Sequence, residues 1–169
     1  MAMNEALLPE FDKEMANTRK TLERVPEDKY SWRPHEKSGT MIWLANHVAD
    51  IPEWTFFTID QDSLDMAPHG VPLAPPPPPK TAQELVAKFD KNVTAGRAAL
   101  AKTNDAHLLK NWSLMSNGET FISMPRIECL RTWVMNHIIH HRAQLGVYLR
   151  LNNIAVPAIY GPSADESGM

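Results

Sequence analysis

The histidines of residues 133–144 are the part of the sequence best suited to chemistry. His137 and His141 are four residues apart in a stretch with helical periodicity, so their side chains lie about 40° apart on one helix face. His47, on the apolar face of a second predicted helix, could supply a third nitrogen. Three neutral imidazoles bind zinc, nickel, copper or iron(II) and leave a position open for water or substrate. The second nitrogen of each ring needs an acceptor, for which several groups are near in sequence: Asp50, Glu53, Asn136 or a backbone carbonyl.

Other interpretations of these histidines stay open. A histidine pair on an apolar stripe can be a hydrogen-bonded core group, although burying three imidazoles together without a metal would cost several kcal/mol. His140 is three residues from His137 and could itself be a ligand, but its ring would point about 100° from that of His141. The remaining histidines fall in predicted connections, where solvent would surround them: His35, His69 and His107.

Residues near the histidines also have alternative roles. Arg142 could hold a substrate carboxylate, orient an acid near the metal, or form a surface ion pair. Cys129, two helical turns before His137, is better explained as a small core residue than as a nucleophile. The tryptophans of this region fit core packing, and the first two could also line the mouth of a cavity above the site: Trp43, Trp54 and Trp133.

The composition favours one globular domain over residues 1–169, with 43% hydrophobic and 22% charged residues. A formal net charge of −3 without a basic cluster argues against nucleic acid or an anionic membrane surface as partner. The sequence has no signal-peptide pattern and no run near the roughly 20 apolar residues of a membrane span, so we expect a cytoplasmic location. The single cysteine excludes a cysteine-based zinc cluster.

Periodicity predicts four amphipathic helices. Helix 1 covers residues 5–24, helix 2 covers residues 40–59 with a kink before Pro52, helix 3 begins at a capping box formed by Thr81 and Glu84, and helix 4 ends near residue 151. Ser123 would cap helix 4, with Pro125 in its first turn. The tail from Ile154 is expected to lie extended over the helices or to fray.

The connections complete the predicted architecture. Residues 60–80 have no periodicity, and their five consecutive prolines, 75–79, favour a polyproline II crossover. Residues 112–115 and 120–123 flank the pair Asn117-Gly118, which is typical of a tight β-hairpin. We therefore expect an all-α fold: a four-helix bundle with one long crossover and a short β-hairpin before helix 4.

Four segments form a pattern that extends over nearly the whole chain. They read Trp-Arg-Pro at 32–34, Ile-Trp-Leu-Ala-Asn-His at 42–47, His-Ile-Ile-His-His-Arg-Ala-Gln at 137–144, and Val-Pro-Ala-Ile-Tyr-Gly-Pro-Ser-Ala-Asp-Glu at 156–166. The pattern resembles the DinB superfamily of bacterial four-helix bundles. Ala143 stands where that family usually has glycine, a small change that leaves the histidines in place.

The resemblance implies a divalent metal, zinc or nickel, held by His47, His137 and His141. It also implies frequent homodimers and, for some members, transferase or isomerase activity with bacillithiol, mycothiol or glutathione. Our leading hypothesis is a metal-dependent thiol S-transferase or hydrolase that acts on a small molecule, with a low-molecular-weight thiol as a second cofactor. The alternatives are a non-enzymatic stress-related bundle that binds a metal or an apolar ligand, and a bundle whose histidines are only hydrogen-bonded core groups.

Overall fold

The computed structural model describes residues 1–167, so the last two residues of the predicted domain lie outside the described chain. Its helices are α1 (Met3–Leu22), α2 (Met41–Asp50), α3 (Glu53–Asp60), α4 (Ala82–Lys102), α5 (Asp105–Leu108), α6 (Arg126–Cys129) and α7 (His137–Leu151). A π-helical segment, Leu130–Asn136, joins α6 to α7. The strands are β1 (Ser63–Asp65), β2 (Asn111–Ser116) and β3 (Glu119–Pro125). Within residues 1–167, none of the helices has the length and apolar character that crossing a bilayer requires.

The helices pack around one apolar core. Phe11 of α1, Leu44 of α2, Leu85 of α4 and Leu145 of α7 are all at most 2% exposed and belong to the same cluster. Each side chain comes from a stripe that recurs every three or four residues, so burying that stripe aligns the helices. The helical periodicity of the sequence therefore identified the elements that form the core.

At the kink expected before Pro52, the helix is interrupted between α2 and α3, although Ile51 and Pro52 keep helical backbone angles. Proline lacks an amide hydrogen and its ring clashes with the preceding turn, so the regular hydrogen-bond ladder is broken there. Helix α4 passes very close to this break: a Cβ added at Gly96 would lie 2.6 Å from the Pro52 carbonyl oxygen. Glycine is therefore required at this crossing.

The start of α4 confirms half of the predicted capping box. The Thr81 hydroxyl accepts a hydrogen bond from the Glu84 amide at 3.1 Å. The Glu84 carboxylate accepts from the amide of Lys80, at 2.7 Å, and not from that of Thr81. Two donors at the helix start are satisfied, with the second one residue earlier than predicted.

The all-α prediction was wrong, because the chain also forms a three-stranded mixed sheet in the order β1-β2-β3. The predicted hairpin of β2 and β3 is present, with Asn117 and Gly118 at positive φ as a two-residue turn requires. Strand β1 lies parallel to β2 and comes from the interval predicted to have no regular structure. A three-residue strand is too short to show periodicity and depends on a distant partner.

The start of the last helical stretch also differs from the prediction. Strand β3 continues to Pro125, so Ser123 lies within the strand, does not cap a helix, and hydrogen-bonds Ser113 across the hairpin. The helix begins at Arg126, whose 1% exposed guanidinium donates to the Asn111 carbonyl at 2.8 Å and the Asp62 carboxylate at 2.6 Å. Arg126 thereby fastens the sheet to the helical stretch that carries the histidine pair.

Candidate metal centre

The structure brings His47, His137 and His141 together. One ring nitrogen from each lies within 4.8 Å of the other two, and the Nε2 atoms of His47 and His137 are 3.2 Å apart. His47 comes from the last half of α2, whereas the other two stand one turn apart at the start of α7. All three rings are partly buried. The predicted triad is therefore a geometric cluster, while its role as a metal site stays a prediction.

The spacing of one pair of nitrogen atoms, those of His47 and His137, fits a shared divalent ion. Two imidazole nitrogens bound tetrahedrally at 2.0–2.1 Å from zinc would be about 3.3 Å apart. The measured distance between the Nε2 atoms of His47 and His137 is 3.2 Å. Two neutral rings that point lone pairs at each other over such a distance repel unless a proton or a cation lies between them. These three residues would hold the ion.

Gln144 fixes the orientation and tautomer of His141. Its Oε1 atom lies 2.8 Å from His141 Nδ1, and its Nε2 atom lies 3.0 Å from His140 Nε2. Since the amide oxygen can only accept, Nδ1 of His141 carries the proton and Nε2 keeps its lone pair. This is the arrangement usual for a metal-bound histidine, whose second nitrogen donates to a neighbouring acceptor.

The hydrogen-bond acceptors that the sequence suggested for the histidine rings do not include Gln144. Asp50 is engaged elsewhere, because its carboxylate accepts from Asn46 at 3.1 Å and pairs with Lys88 at 2.6 Å. A signal for Gln144 was present in the sequence, since a residue three positions after a helical histidine shares its face.

The surroundings keep the triad uncharged near neutral pH. Burial lowers the pKa of His47 to about 4, assisted by the neighbouring rings of His141 and His137. Burial is also the main cause that lowers the pKa of His137 and of His141, with His141 acting on the former and His140 on both. Neutral imidazole is the form that binds metals. The cluster is therefore ready to coordinate a cation without first losing protons.

Tryptophan side chains enclose the cluster. Trp43 stacks on His47 with ring centroids 5.5 Å apart, although 56% of Trp43 is exposed. Trp54 meets His137 edge to face at 5.2 Å, and Trp133 of the π-helical segment meets it at 6.2 Å. Turns of π-helix are frequent at functional sites. This one was not predicted, and it places Trp133 beside the histidine cluster.

A cavity of about 310 Å³ lies next to the triad. His137, Trp54 and Trp133 line it, so these three residues belong both to the histidine cluster and to the cavity wall. The sequence suggested Trp43 and Trp54 as residues at a cavity mouth. The structure places Trp54 in the cavity lining, adds Trp133, and leaves Trp43 out of the lining, stacked on His47.

Comparison with known proteins identifies the family. The model of the DinB family matches residues 1–168. The chain belongs to the DinB family. Its fold resembles the crystal structure of a DinB-like protein from Bacillus cereus ATCC 10987, with a TM-score of 0.72 and 23% identity over 94% of this chain and 98% of that one. A DinB-like protein from Bacillus subtilis gives a TM-score of 0.68 and 18% identity over 90% and 95%. No curated protein matches the chain.

Other residues singled out in this DinB chain lie away from the triad nitrogens. Arg142 is 4% exposed and forms an ion pair with Glu14 at 2.7 Å, so it neither faces the metal centre nor lies at the surface. Cys129 is 2% exposed, as expected for a core residue, although it also lines the cavity. His140 is outside the ligand group and accepts from Gln144 on the flank of α7.

The histidines expected in connections have different surroundings. His35 and His69 are exposed, as predicted. His107 lies in the short helix α5, where its Nε2 is 2.8 Å from the Ile59 carbonyl oxygen, so it is partly buried rather than fully solvated. This bond links the α5 region to the end of α3.

Proposed function

We propose that His47, His137 and His141 bind a divalent metal ion, with zinc or nickel preferred. The observation that carries the proposal is the convergence of three uncharged imidazole nitrogens from two helices within 4.8 Å. Imidazole is a ligand of intermediate softness that suits both metals. Three protein ligands leave a coordination position open, and catalytic sites differ from structural sites in this respect.

The proposed reaction is the transfer of a low-molecular-weight thiol to a small electrophile. A bound divalent ion would supply the positive charge that makes a thiol or a water molecule nucleophilic at neutral pH. The protein orients the ligands: Gln144 holds the His141 ring, and Trp54 and Trp133 pack against His137. Both tryptophans also limit access of bulk water to that ring.

Thiol transfer is favoured over hydrolysis by the residues that line the cavity beside His137. Among the described residues that line the cavity beside His137, none is a carboxylate. A carboxylate is one of the groups that serve as general base for an attacking water. A metal ion lowers the pKa of bound water and of a bound thiol alike, but the thiol starts from the lower pKa and needs less help to lose its proton. The cytoplasmic location and the homodimer stay predictions.

The first test measures metal content by elemental analysis of protein purified without a histidine tag. We expect about one ion per chain in the parent protein, because one cluster provides three ligands. The His47→Ala, His137→Ala and His141→Ala variants should each lose it. His140→Ala is the matched control, since it removes a neighbouring histidine outside the ligand group and should keep the metal.

The second test asks whether the bound metal supports turnover. The metal-loaded protein is assayed with bacillithiol, mycothiol or glutathione against a panel of electrophiles, with metal-free protein and His137→Ala as controls. Saturable turnover that requires both the metal and a thiol supports the transferase. Retained metal with no turnover would favour the non-enzymatic binding protein, and absence of metal after incubation with zinc and nickel would refute the metal centre.

A further inference from the structure

The cavity next to His137 has an apolar wall that the sheet provides. Leu64 of β1, Leu114 of β2 and Ile122 of β3 are cross-strand neighbours and all line it. Because side chains alternate along a strand, these three form one row on the same face of the sheet. The sheet, formed by the predicted hairpin and the unpredicted strand β1, therefore closes one side of the space beside the histidines.

The wall has few polar groups. The Thr58 hydroxyl and the Cys129 thiol lie 3.6 Å apart and form a hydrogen bond, whereas the indole N–H of Trp112 is a buried donor without a partner. Among the lining residues that the structure describes, none is aspartate, glutamate, lysine or arginine. A carboxylate of a ligand would lose its hydration here and gain no counter-charge, at a considerable free-energy cost that one indole donor does not offset.

The size of the cavity limits what can fill it. An apolar cavity of about 150 Å³ in another protein accommodates benzene. The cavity here measures about 310 Å³, roughly twice that volume, which corresponds to two fused rings or to one ring with a short chain. One end of such a molecule would lie against His137, between Trp54 and Trp133.

We propose that this cavity binds the uncharged aromatic part of the substrate, a molecule of one or two rings, and presents its reactive atom at the His137 end. The position of the reactive atom rests on the proposed function. Occupation of the cavity does not, because His47 and His141 are not part of its lining. The row of Leu64, Leu114 and Ile122 then determines specificity by excluding charged and larger molecules.

The test compares naphthalene with 2-naphthoate, which adds a carboxylate to the same two rings. Equilibrium dialysis gives the affinity of each probe for the parent protein, and quenching of tryptophan fluorescence reports occupation because Trp54, Trp112 and Trp133 line the cavity. We expect one naphthalene per chain and binding of 2-naphthoate that is weaker by about 100-fold or more. Equal binding of both probes, or no binding of naphthalene, would overturn the proposal.

Variants locate the bound probe. Leu114→Trp and Ile122→Trp place a large ring inside the cavity, and each should weaken naphthalene binding by at least about tenfold. Phe121→Trp is the matched control, because Phe121 neighbours Ile122 on β3 but is 69% exposed and not part of the lining. Circular dichroism identifies which variants are folded, and unchanged binding by a folded cavity variant would contradict this location.

A fourth variant separates this proposal from the metal centre. His47→Ala should lose the metal but bind naphthalene within about twofold of the parent, since His47 does not line the cavity. Metal loss with retained binding supports both proposals. A parent protein that binds naphthalene but no metal would keep the cavity proposal and refute the metal centre, whereas the reverse result would refute the cavity alone.

Discussion

His141 and Arg142 are consecutive residues of α7 and belong to two regions with opposite electrostatic design. On one side, His141 converges with two further uncharged rings that have no counter-charge between them. On the other side, Arg142 donates to the Glu14 carboxylate, the Thr18 hydroxyl and the Tyr160 hydroxyl, at 2.7, 3.2 and 2.7 Å. The histidine cluster offers nitrogen acceptors to a cation from outside the protein. In the Arg142 region the cation is a side chain of the protein and is already paired with Glu14.

The difference shows which polar cluster is suited to binding. The groups around Arg142 come from α1, α7 and the tail, so the ion pair joins three separate parts of the chain. Arg142 and Tyr160 also line an open groove of about 390 Å³, but their hydrogen-bonding groups are already engaged with each other and with Glu14. The histidine nitrogens face one another without a charged partner and have a cavity beside them, which is the combination expected of a functional site.

The largest expected effect comes from breaking the buried ion pair. Arg142→Met leaves the 7% exposed Glu14 carboxylate without its partner, and we expect a loss of about 3–5 kcal/mol in the free energy of unfolding. Urea denaturation measures this loss. The double variant Glu14→Leu, Arg142→Met removes both charges and should recover most of it.

The metal content of Arg142→Met tests whether the ion pair and the histidine cluster are independent. While Arg142→Met remains folded, it should still bind one metal per chain, because Arg142 makes no contact with the triad nitrogens. Loss of metal with unchanged stability would instead place Arg142 in the metal centre, as one of the alternatives from the sequence suggested.

Gln144→Leu should produce the reverse pattern. Removing the amide leaves the His141 ring without the acceptor that fixes its tautomer, so we expect metal affinity to fall by about 10–100-fold. Stability without metal should change little, since Gln144 is exposed. Competition with a chelator measures the affinity, and Gln144→Glu, which retains an acceptor, should restore most of it.

A smaller effect is expected at the tail. Tyr160→Phe removes a hydroxyl that donates to Glu14 and accepts from Arg142, while leaving the charge pair intact. We expect a loss of about 1–3 kcal/mol in the free energy of unfolding, with metal content unchanged. The 65% exposure of the Tyr160 side chain favours the lower end of that range. A loss as large as that of Arg142→Met would mean that the hydroxyl, not the ion pair, holds this region together.

The sequence predicted features that depend on local spacing. Residues close along the chain determine the helix positions, the Thr81 cap, the Asn117-Gly118 turn and the spacing of His137 and His141. Features that need distant partners were missed or misjudged. Strand β1 exists only because β2 lies beside it, and the π-helical segment 130–136 is not encoded by any simple repeat.

The same distinction applies to the two polar regions. The third histidine, His47, could be proposed because its helix face was predictable and because a family resemblance linked it to the pair. The partner of Arg142 could not, since Glu14 is 128 residues away on a helix that carries three further acids, Glu5, Glu10 and Asp12. Apart from Trp54, the residues that line the cavity were beyond prediction for the same reason, because they come mainly from α3, the sheet and the stretch before α7.

The smallest expected effect is the change with pH in the free energy of unfolding of the metal-free protein. It again separates the histidine cluster from the Arg142 region. His47 has a pKa of about 4 in the folded protein and about 6.5 when unfolded. Between these values the unfolded chain binds more protons, so stability should fall as the pH is lowered from about 6.5 to 4. The slope contributed by His47 is below about 1.4 kcal/mol per pH unit, because its ring is partly exposed.

Urea denaturation at several pH values measures that slope without metal. His47→Gln should reduce it, whereas His140→Gln, which changes a histidine outside the ligand group, should reduce it less. Adding zinc at pH 7 should then stabilise the parent and the His140→Gln variant but not His47→Gln, because only the folded triad offers three neutral nitrogens. Equal slopes in the parent and His47→Gln would show that His47 is not the group that resists protonation, and the contrast with the Arg142 region would then rest on His137 and His141 alone.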